Sequence, residues 1–381
     1  MKNIPYAKQH IDKKDIDSVI KTLKSDFITQ GPKIRDFEKA FSEYIGVNHA
    51  VAVNNGTSAL HAAVLSLGLK PGDRVITTPI TFAASANCVR YVGGEVWFAD
   101  IDPNTYLISL SKVKELIENY PKGFFKGIIV VDFAGLPVNL EEFRLLANKH
   151  NLWIIEDACH APGAYFIDSN GNKQKSGNSK YADIGIFSFH PVKHIACGEG
   201  GMITTNSDFI YDKLNLLRTH GISKKNIRNS DGFWYYEMKS LGYNFRLTDI
   251  QSALGISQLS KNDNGLKKRN HIAIKYKSAF KDLIKFQHLP KNSFNAHHLF
   301  VIEIDKRKKL YDYLRKYNIY AQIHYIPIHT FPYYKKIGYK DADLSSSEHY
   351  YSRCISLPMY PTLSNSDQNF VIDKVIEFVK N

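Results

Sequence analysis

The sequence predicts an α/β protein. A mainly parallel sheet sheathed by helices occupies residues 1–255, and a smaller α+β domain occupies 256–381. Three observations point there. Short apolar runs recur up to about residue 205, most of them continuous rather than alternating, as strands covered on both faces are. Helical stretches lie between several of these runs, the pattern of a parallel sheet with crossover helices. After about residue 250 the texture shifts to lysine-rich helices with fewer strands.

The elements follow in order. Ile16, Val19, Ile20 and Leu23 recur at helical spacing, as do Ile34, Phe37, Phe41, Tyr44 and Ile45. HAVAVN (49–54) reads as a strand, NGTS (55–58) as a turn, and ALHAAVLSLGL (59–69) as a helix ending before Pro71-Gly72. Further strands are expected at RVITT (74–78), EVWFAD (95–100), GIIVVDF (127–133), LWIIED (152–157), IGIFSF (184–189) and GMITT (201–205). Helices are expected over Thr81–Tyr91, over Ser111–Tyr120 with Ser111 as N-cap, and over Leu140–His150. The C-terminal part reads as a helix beginning near Thr248, a helical segment over 263–285, a strand HLFVIEI (298–304) and a charged helix over 306–317. A strand QIHYIP (322–327) and two helices complete it, the last opening at Ser366-Asp367 with Phe370, Val371, Val375, Ile376 and Val379 on one face. No internal repeat or long low-complexity linker interrupts the chain.

Composition narrows the class. The 381 residues are 44% hydrophobic and 13% aromatic, enough for a sizeable core. Fifty Lys+Arg against 37 Asp+Glu give a net charge of +13, which invites a nucleic-acid reading. The cations are scattered in patches, however: Lys267, Lys268 and Arg269; Lys306, Arg307, Lys308 and Lys309; Lys224 and Lys225. No RNA-binding aromatic motif, zinc finger or basic zipper accompanies them, so attraction of a small anionic substrate is the better reading. Cys88, Cys159, Cys197 and Cys354 are far apart with no C-x-x-C pair, which fits a reduced cytoplasmic protein rather than a disulfide framework. MKNIPYAKQHIDKKD carries charges where a signal peptide needs an apolar core, and nowhere do 18 apolar residues run together.

In such sheets ligands gather at the carboxyl ends of strands and at the N-termini of the helices that follow. Three stretches carry polar groups there. NNGTSAL sits on a strand-to-helix turn, where Gly56 permits close backbone approach and Thr57 and Ser58 offer hydroxyls beside free helix amides. That suits either a phosphate or an ordinary capped helix, and it matches neither a P-loop nor a G-x-G-x-x-G fingerprint. LWIIEDACHAPGA ends an apolar strand on Glu156 and Asp157, with His160 three residues on. Asp157 reads either as a helix cap or as the partner of a protonated heterocycle. SFHPVKHIACGEGG offers Ser188, Lys193, the spaced pair His190 and His194, and a glycine cluster. The histidines lack an H-E-x-x-H glutamate and are interrupted by Pro191, and the glycines alone are a weak phosphate signal. Lys193 in isolation is a solvated charge; in an enclosed site its amine can form a Schiff base. Together, an amine, a carboxylate and a phosphate cradle at strand ends of one sheet match what pyridoxal phosphate requires.

At this point the chain resembles the DegT/DnrJ/EryC1/StrS sugar aminotransferases over nearly its whole length. The motifs that carry the resemblance are ITQGPKIRDFEKAF (28–41), NGTSALHAA (55–63), TFAASANCVRYVGGEVWFADID (81–102), IIEDACHAPGA (154–164), SFHPVKHIACGEGGMITT (188–205), RTHGI (218–222) and GYNFRLTDIQSALG (242–255). The resemblance implies the aspartate aminotransferase (type I) fold, a pyridoxal or pyridoxamine phosphate cofactor, and nucleotide-linked keto-sugars as substrates. It also implies a homodimer with shared active sites. By position, Lys193 matches the lysine that binds the cofactor, Asp157 the partner of the pyridine nitrogen, and His160 a residue beside the ring. Phe82 matches the stacking aromatic; Thr57, Ser58 and Ser188 match phosphate contacts. Asn244 matches an asparagine that reaches the neighbouring subunit's phosphate. A branch of the family that replaces the lysine with histidine performs dehydration, so the presence of Lys193 favours transamination. SFHPVKHI-x-x-GEGGM with QIHYIPIHTFPYY (322–334) is most similar to the branch acting in pseudaminic acid biosynthesis. That branch moves the amino group of L-glutamate to C4 of a UDP-linked 2-acetamido-2,6-dideoxy-4-keto-hexose. Tyr6, Thr29, His324, Tyr325 and His329 are candidate substrate contacts, with a core strand bearing a polar edge as the alternative for the last three.

Overall fold

Seven strands make the central sheet of the computed structural model, which describes residues 3–223, 232, 234–338 and 342–380. Lys224 and Lys225 of the third basic patch lie outside these residues. The spatial order is His49–Val53, Gly201–Thr205, Ile184–Ser188, Trp153–Asp157, Phe125–Val131, Arg74–Thr77, Glu95–Phe98. Neighbours run parallel except for Gly201–Thr205, which is antiparallel to both of its own. Its first residue, Gly201, stands opposite Val53 on one side and Ser188 on the other.

The continuous apolar runs have a simple physical origin. Successive strand residues point to opposite faces. Ile128 and Ile154 enter one buried cluster while Ile129, Ile155, Ile184 and Ile186 enter another. Both faces are therefore covered, and no position along these strands can be polar without a partner. The strands expected for the central sheet all form, most of them a residue or two shorter than expected.

Helix boundaries differ from expectation where a cap decides them. NGTS is not a turn before the helix but its first turn: the helix runs Gly56–Ser66, because the Asn55 side chain accepts the Ser58 amide at 2.8 Å. The helix expected from Thr81 begins at Ala84. Ser109, not Ser111, caps the helix Leu110–Glu118, its hydroxyl accepting the Lys112 amide at 3.4 Å. Thr248 and Gln251 form a capping box that starts the helix Asp249–Ser260.

In the C-terminal part the helix Asn262–Phe280 stops before the expected 285, since Asp282 takes a left-handed φ of 62°. Lys285–Phe286, Phe300–Glu303 and Cys354–Leu357 form an antiparallel sheet. The strand Cys354–Leu357 separates the two expected helices, Ser345–Arg353 and Asn365–Lys380, and was not expected. QIHYIP is not a strand. Only Gln322 bridges to Ser356, and Pro327 has no amide to continue a ladder. Ile4–Pro5 at the start of the chain pairs with Ile319–Tyr320, and Ile4 is buried among C-terminal core residues. No described helix is long and apolar enough to cross a membrane.

Candidate active site

The carboxyl ends of four central strands and the start of the helix Gly56–Ser66 open on one cavity of about 520 Å³. Its wall brings together Asn55, Gly56, Thr57, Phe82, Asp157, His160, Ser188 and Lys193, with Tyr6, His324 and Tyr325 closing it from the terminal segments. Two roomier hollows, about 720 and 670 Å³, contain none of these groups; chemistry rather than volume singles out this one.

Lys193 is held by local geometry. His190-Pro191-Val192-Lys193 is a tight turn closed by the Lys193 amide donating to the His190 carbonyl at 2.8 Å. The buried side chains of Phe189, Ile195 and Cys197 pin the loop on either side of it. The Lys193 ammonium is partly removed from water, and this desolvation lowers its pKa from the ordinary lysine range, against the opposing pull of Cys159 and Asp157. The amine is thereby made more readily available as a base or nucleophile.

Asp157 ends its strand with a nearly buried carboxylate. Ser85 donates to Oδ2 at 2.7 Å, and the Cys159 amide donates to Oδ1 at 3.2 Å. Thr81 Oγ1 lies 2.9 Å from Ser85 Oγ, extending the chain of hydroxyls. Among the described residues Asp157 forms no salt bridge. A buried carboxylate that faces the cavity without a salt-bridge partner fits a protonated ring nitrogen placed there. The helix start at Gly56, with hydroxyls of Thr57 and Ser188 nearby, fits a phosphate.

His160 completes this wall. Its Nε2 is 3.2 Å from the Tyr325 hydroxyl, while Nδ1 is buried with no hydrogen-bond partner. Burial, and then Lys193, push its pKa well below the usual histidine range, so the ring is neutral. Burial raises the Tyr325 phenol and lowers His324 to about 3. His324 Nδ1 contacts Ser356 Oγ at 2.9 Å.

Other sequence candidates lie elsewhere. Ser58 sits in the helix turn with its amide on the Asn55 side chain and is not on the cavity wall. Thr29 is exposed and bridges Thr248; Asn244 is exposed and bridges Thr219. His329 is buried, 3.1 Å from Glu348 Oε1 and beside Phe98, outside this cavity. His190 and His194 diverge: His190 lines the cavity, whereas His194 Nε2 lies 3.0 Å from the Ala296 carbonyl oxygen. Ser85 and Cys159 belong to the site without having been singled out. Cys159 stands in the same local motif, two residues past Asp157. Nothing local marks Ser85, which is 72 residues from the carboxylate it serves.

The comparisons agree with one another. A model of the DegT/DnrJ/EryC1/StrS aminotransferase family matches residues 9–376. The chain is 38% identical over 391 residues to the spore coat polysaccharide biosynthesis protein SpsC of Bacillus subtilis (strain 168), covering 99% of this chain and 97% of that one. It is 37% identical over 387 residues to a UDP-4-amino-4,6-dideoxy-N-acetyl-beta-L-altrosamine transaminase of Campylobacter jejuni subsp. jejuni serotype O:2, covering 99% and 98%. Among solved structures, Helicobacter pylori PseC, an aminotransferase involved in the biosynthesis of pseudoaminic acid, superposes with a TM-score of 0.90 at 33% identity over 100% of both chains. The PMP-form of a putative sugar aminotransferase, Spr1654 of Streptococcus pneumoniae, gives 0.91 at 26% identity, covering 99% of each.

Proposed function

The chain belongs to the DegT/DnrJ/EryC1/StrS aminotransferase family, and from that premise we propose that it transfers the amino group of L-glutamate to C4 of a UDP-linked 2-acetamido-2,6-dideoxy-4-keto-hexose, with pyridoxal phosphate as cofactor. The observation that carries the reading is the convergence of Lys193, Asp157 and the helix start at Gly56 on one cavity. The names of the Campylobacter and Helicobacter relatives support the choice of sugar.

Bound there, the cofactor supplies an aldehyde carbon that exchanges amines and a cationic ring that accepts electrons from the substrate carbon. The protein's own groups do the rest. Thr57, Ser188 and the helix amides hold the phosphate. Asp157, oriented by Ser85 and the Cys159 amide, keeps a proton on the ring nitrogen. Lys193, its amine lowered in basicity by burial, takes a proton from one substrate carbon and returns it to the neighbouring position. Phe82 and the neutral His160 would hold the ring, with the Tyr325 hydroxyl fixing the orientation of His160.

The reading includes a homodimer with shared sites, in which Asn244 of one copy serves the other's cavity, with Thr29 a candidate substrate contact. Supporting this, Ile16, Ile20, Leu23, Phe27 and Ile28 expose 43–54% of their surface along the N-terminal helix and the segment after it, an apolar face of the kind that a second copy covers.

The test begins with the visible absorption of the purified protein and of Lys193→Ala, followed by amino transfer from glutamate to a panel of UDP- and dTDP-linked 4-keto-sugars. The substituted protein is expected to lose the cofactor band and to turn over at least about 10³-fold more slowly. A Lys193→Ala protein with normal turnover overturns the assignment. Amino transfer to dTDP-sugars alone overturns the choice of nucleotide.

A further inference from the structure

Lys193 borders a second, smaller cavity of about 140 Å³ as well as the main one. Its lining is strongly cationic. Lys8 and Lys268 stand at an exposed rim, Lys261 at the side, and Arg269 at the floor. Asp12 is the single carboxylate on the wall, and it is already engaged: it caps the first helix and accepts Lys261 at 2.9 Å. Lys261 also bonds Asp15. Among the described residues Lys8, Lys193, Lys268 and Arg269 form no ion pair.

Arg269 is the telling group. It is 1% exposed, and its Nη1 donates only to the backbone carbonyls of His297, His298 and Met359. Its Nε has no partner. Burial without a counter-ion lowers its pKa to about 9. Arg269 lines a cavity ringed by further unpaired cations, and a buried guanidinium without a counter-ion is costly unless an anion enters. Guanidinium and carboxylate match in geometry and charge.

Size selects among anions. At about 30 Å³ per water in the liquid, this cavity holds roughly five waters, space for a carboxylate with one or two methylenes. It cannot hold a nucleoside diphosphate, which the main cavity's 520 Å³ suits better. Lys193 lies at the junction, and the amino donor must reach that residue's amine position to react.

Resting on the aminotransferase reading above, we propose that this cavity is the donor's carboxylate subsite: a dicarboxylic amino acid enters with its distal carboxylate between Arg269, Lys8 and Lys268. The subsite explains how one active centre accepts two unlike substrates in turn. The sugar nucleotide occupies the main cavity, and the donor's acidic tail occupies the cationic one beside Lys193.

The experiment uses the cofactor-loaded protein and the double variant Lys8→Met/Lys268→Met, both at the exposed rim, with a melting curve to confirm that the variant folds. Calorimetry with glutarate, an unreactive dicarboxylate, is expected to show binding about tenfold weaker in the variant, equivalent to about 1.4 kcal/mol. In turnover, the KM for glutamate is expected to rise about tenfold while the KM for the keto-sugar moves less than twofold. Equal glutarate affinity in the two proteins overturns the subsite. So does inorganic phosphate displacing glutarate as effectively as unlabelled glutarate does, which marks a general anion site. Normal turnover with an unchanged KM for glutamate defeats the subsite and leaves the aminotransferase reading intact. Weakened glutarate binding with no amino transfer to any keto-sugar keeps the subsite and defeats the sugar assignment.

Discussion

The Tyr325 hydroxyl stands 3.2 Å from His160 Nε2, joining the C-terminal part of the chain to the loop that follows the Asp157 strand. Both groups are neutral, His160 because burial opposes its charging and Tyr325 because burial opposes its ionisation. The hydrogen bond between them therefore joins two uncharged groups. Tyr325→Phe leaves His160 without a partner on either nitrogen, since Nδ1 already lacks one. The expected loss is about tenfold in kcat/KM, from about 1–2 kcal/mol of an unmet buried hydrogen bond. Steady-state kinetics of the substituted enzyme check it.

Ser85→Ala removes the 2.7 Å hydrogen bond to Asp157 Oδ2. A bond to a charged acceptor is worth about 1.5–3 kcal/mol. Cofactor affinity is expected to fall at least about tenfold, read by titrating the cofactor-free protein with pyridoxal phosphate. Ser85→Thr, which keeps the hydroxyl, should retain most of the affinity.

Asp132 and Glu156 are a buried acid pair directly beside Asp157. Ser176 donates to Asp132 at 2.6 Å, and the Gly177 amide donates to Glu156 at 2.8 Å. Burial raises Asp132 to about 6, and burial together with Asp132 holds Glu156 well above the carboxylate range. Because the folded protein binds more protons than the unfolded chain between about pH 4 and 6, this pair's contribution to stability is present at low pH and is lost as pH rises. Asp132→Asn removes the share of this dependence that Asp132 carries. Its stability relative to the parent should improve by about 2–3 kcal/mol between pH 4 and pH 7, measured by denaturant unfolding at both values.

Gly255 packs where the helix Asp249–Ser260 meets Phe37. A Cβ there would lie 2.6 Å from Phe37 Cζ and 3.0 Å from Cys197 Sγ. Both neighbours are buried, so they have little room to move. Gly255→Ala is expected to destabilise the protein by about 1–3 kcal/mol, seen as a lower melting temperature.

The central sheet is legible in the sequence because every one of its strands is either buried on both faces or bounded by turn residues. Ile128-Ile129 and Ile154-Ile155 show it plainly: opposite faces, both apolar. Cap positions are less legible, since Ser109 and Ser111 are equally good hydroxyls two residues apart. QIHYIP has the alternation of a strand, but its His324 and Tyr325 are spent on side-chain contacts with Ser356 and His160 rather than on a ladder. Cys354–Leu357 is too short to stand out between two helices. The site is legible where a motif is local, as with Lys193 and Asp157. It is illegible where distant chain segments meet, as with Ser85 on Asp157 and Arg269 beneath Lys193.

Gly201 gives the glycine cluster after Lys193 a meaning of its own. Paired at once with Val53 and with Ser188, it sets the spacing between the strand that leads to the helix start at Gly56 and the strand that leads to Lys193, two ladder widths or about 10 Å. A Cβ at 201 would come within 2.5 Å of the Asn55 carbonyl oxygen and 2.9 Å of the Gly56 amide. The bare backbone thus acts as a gauge block: it lets the Asn55–Gly56 turn lie directly against the strand, and any side chain there would push that turn away.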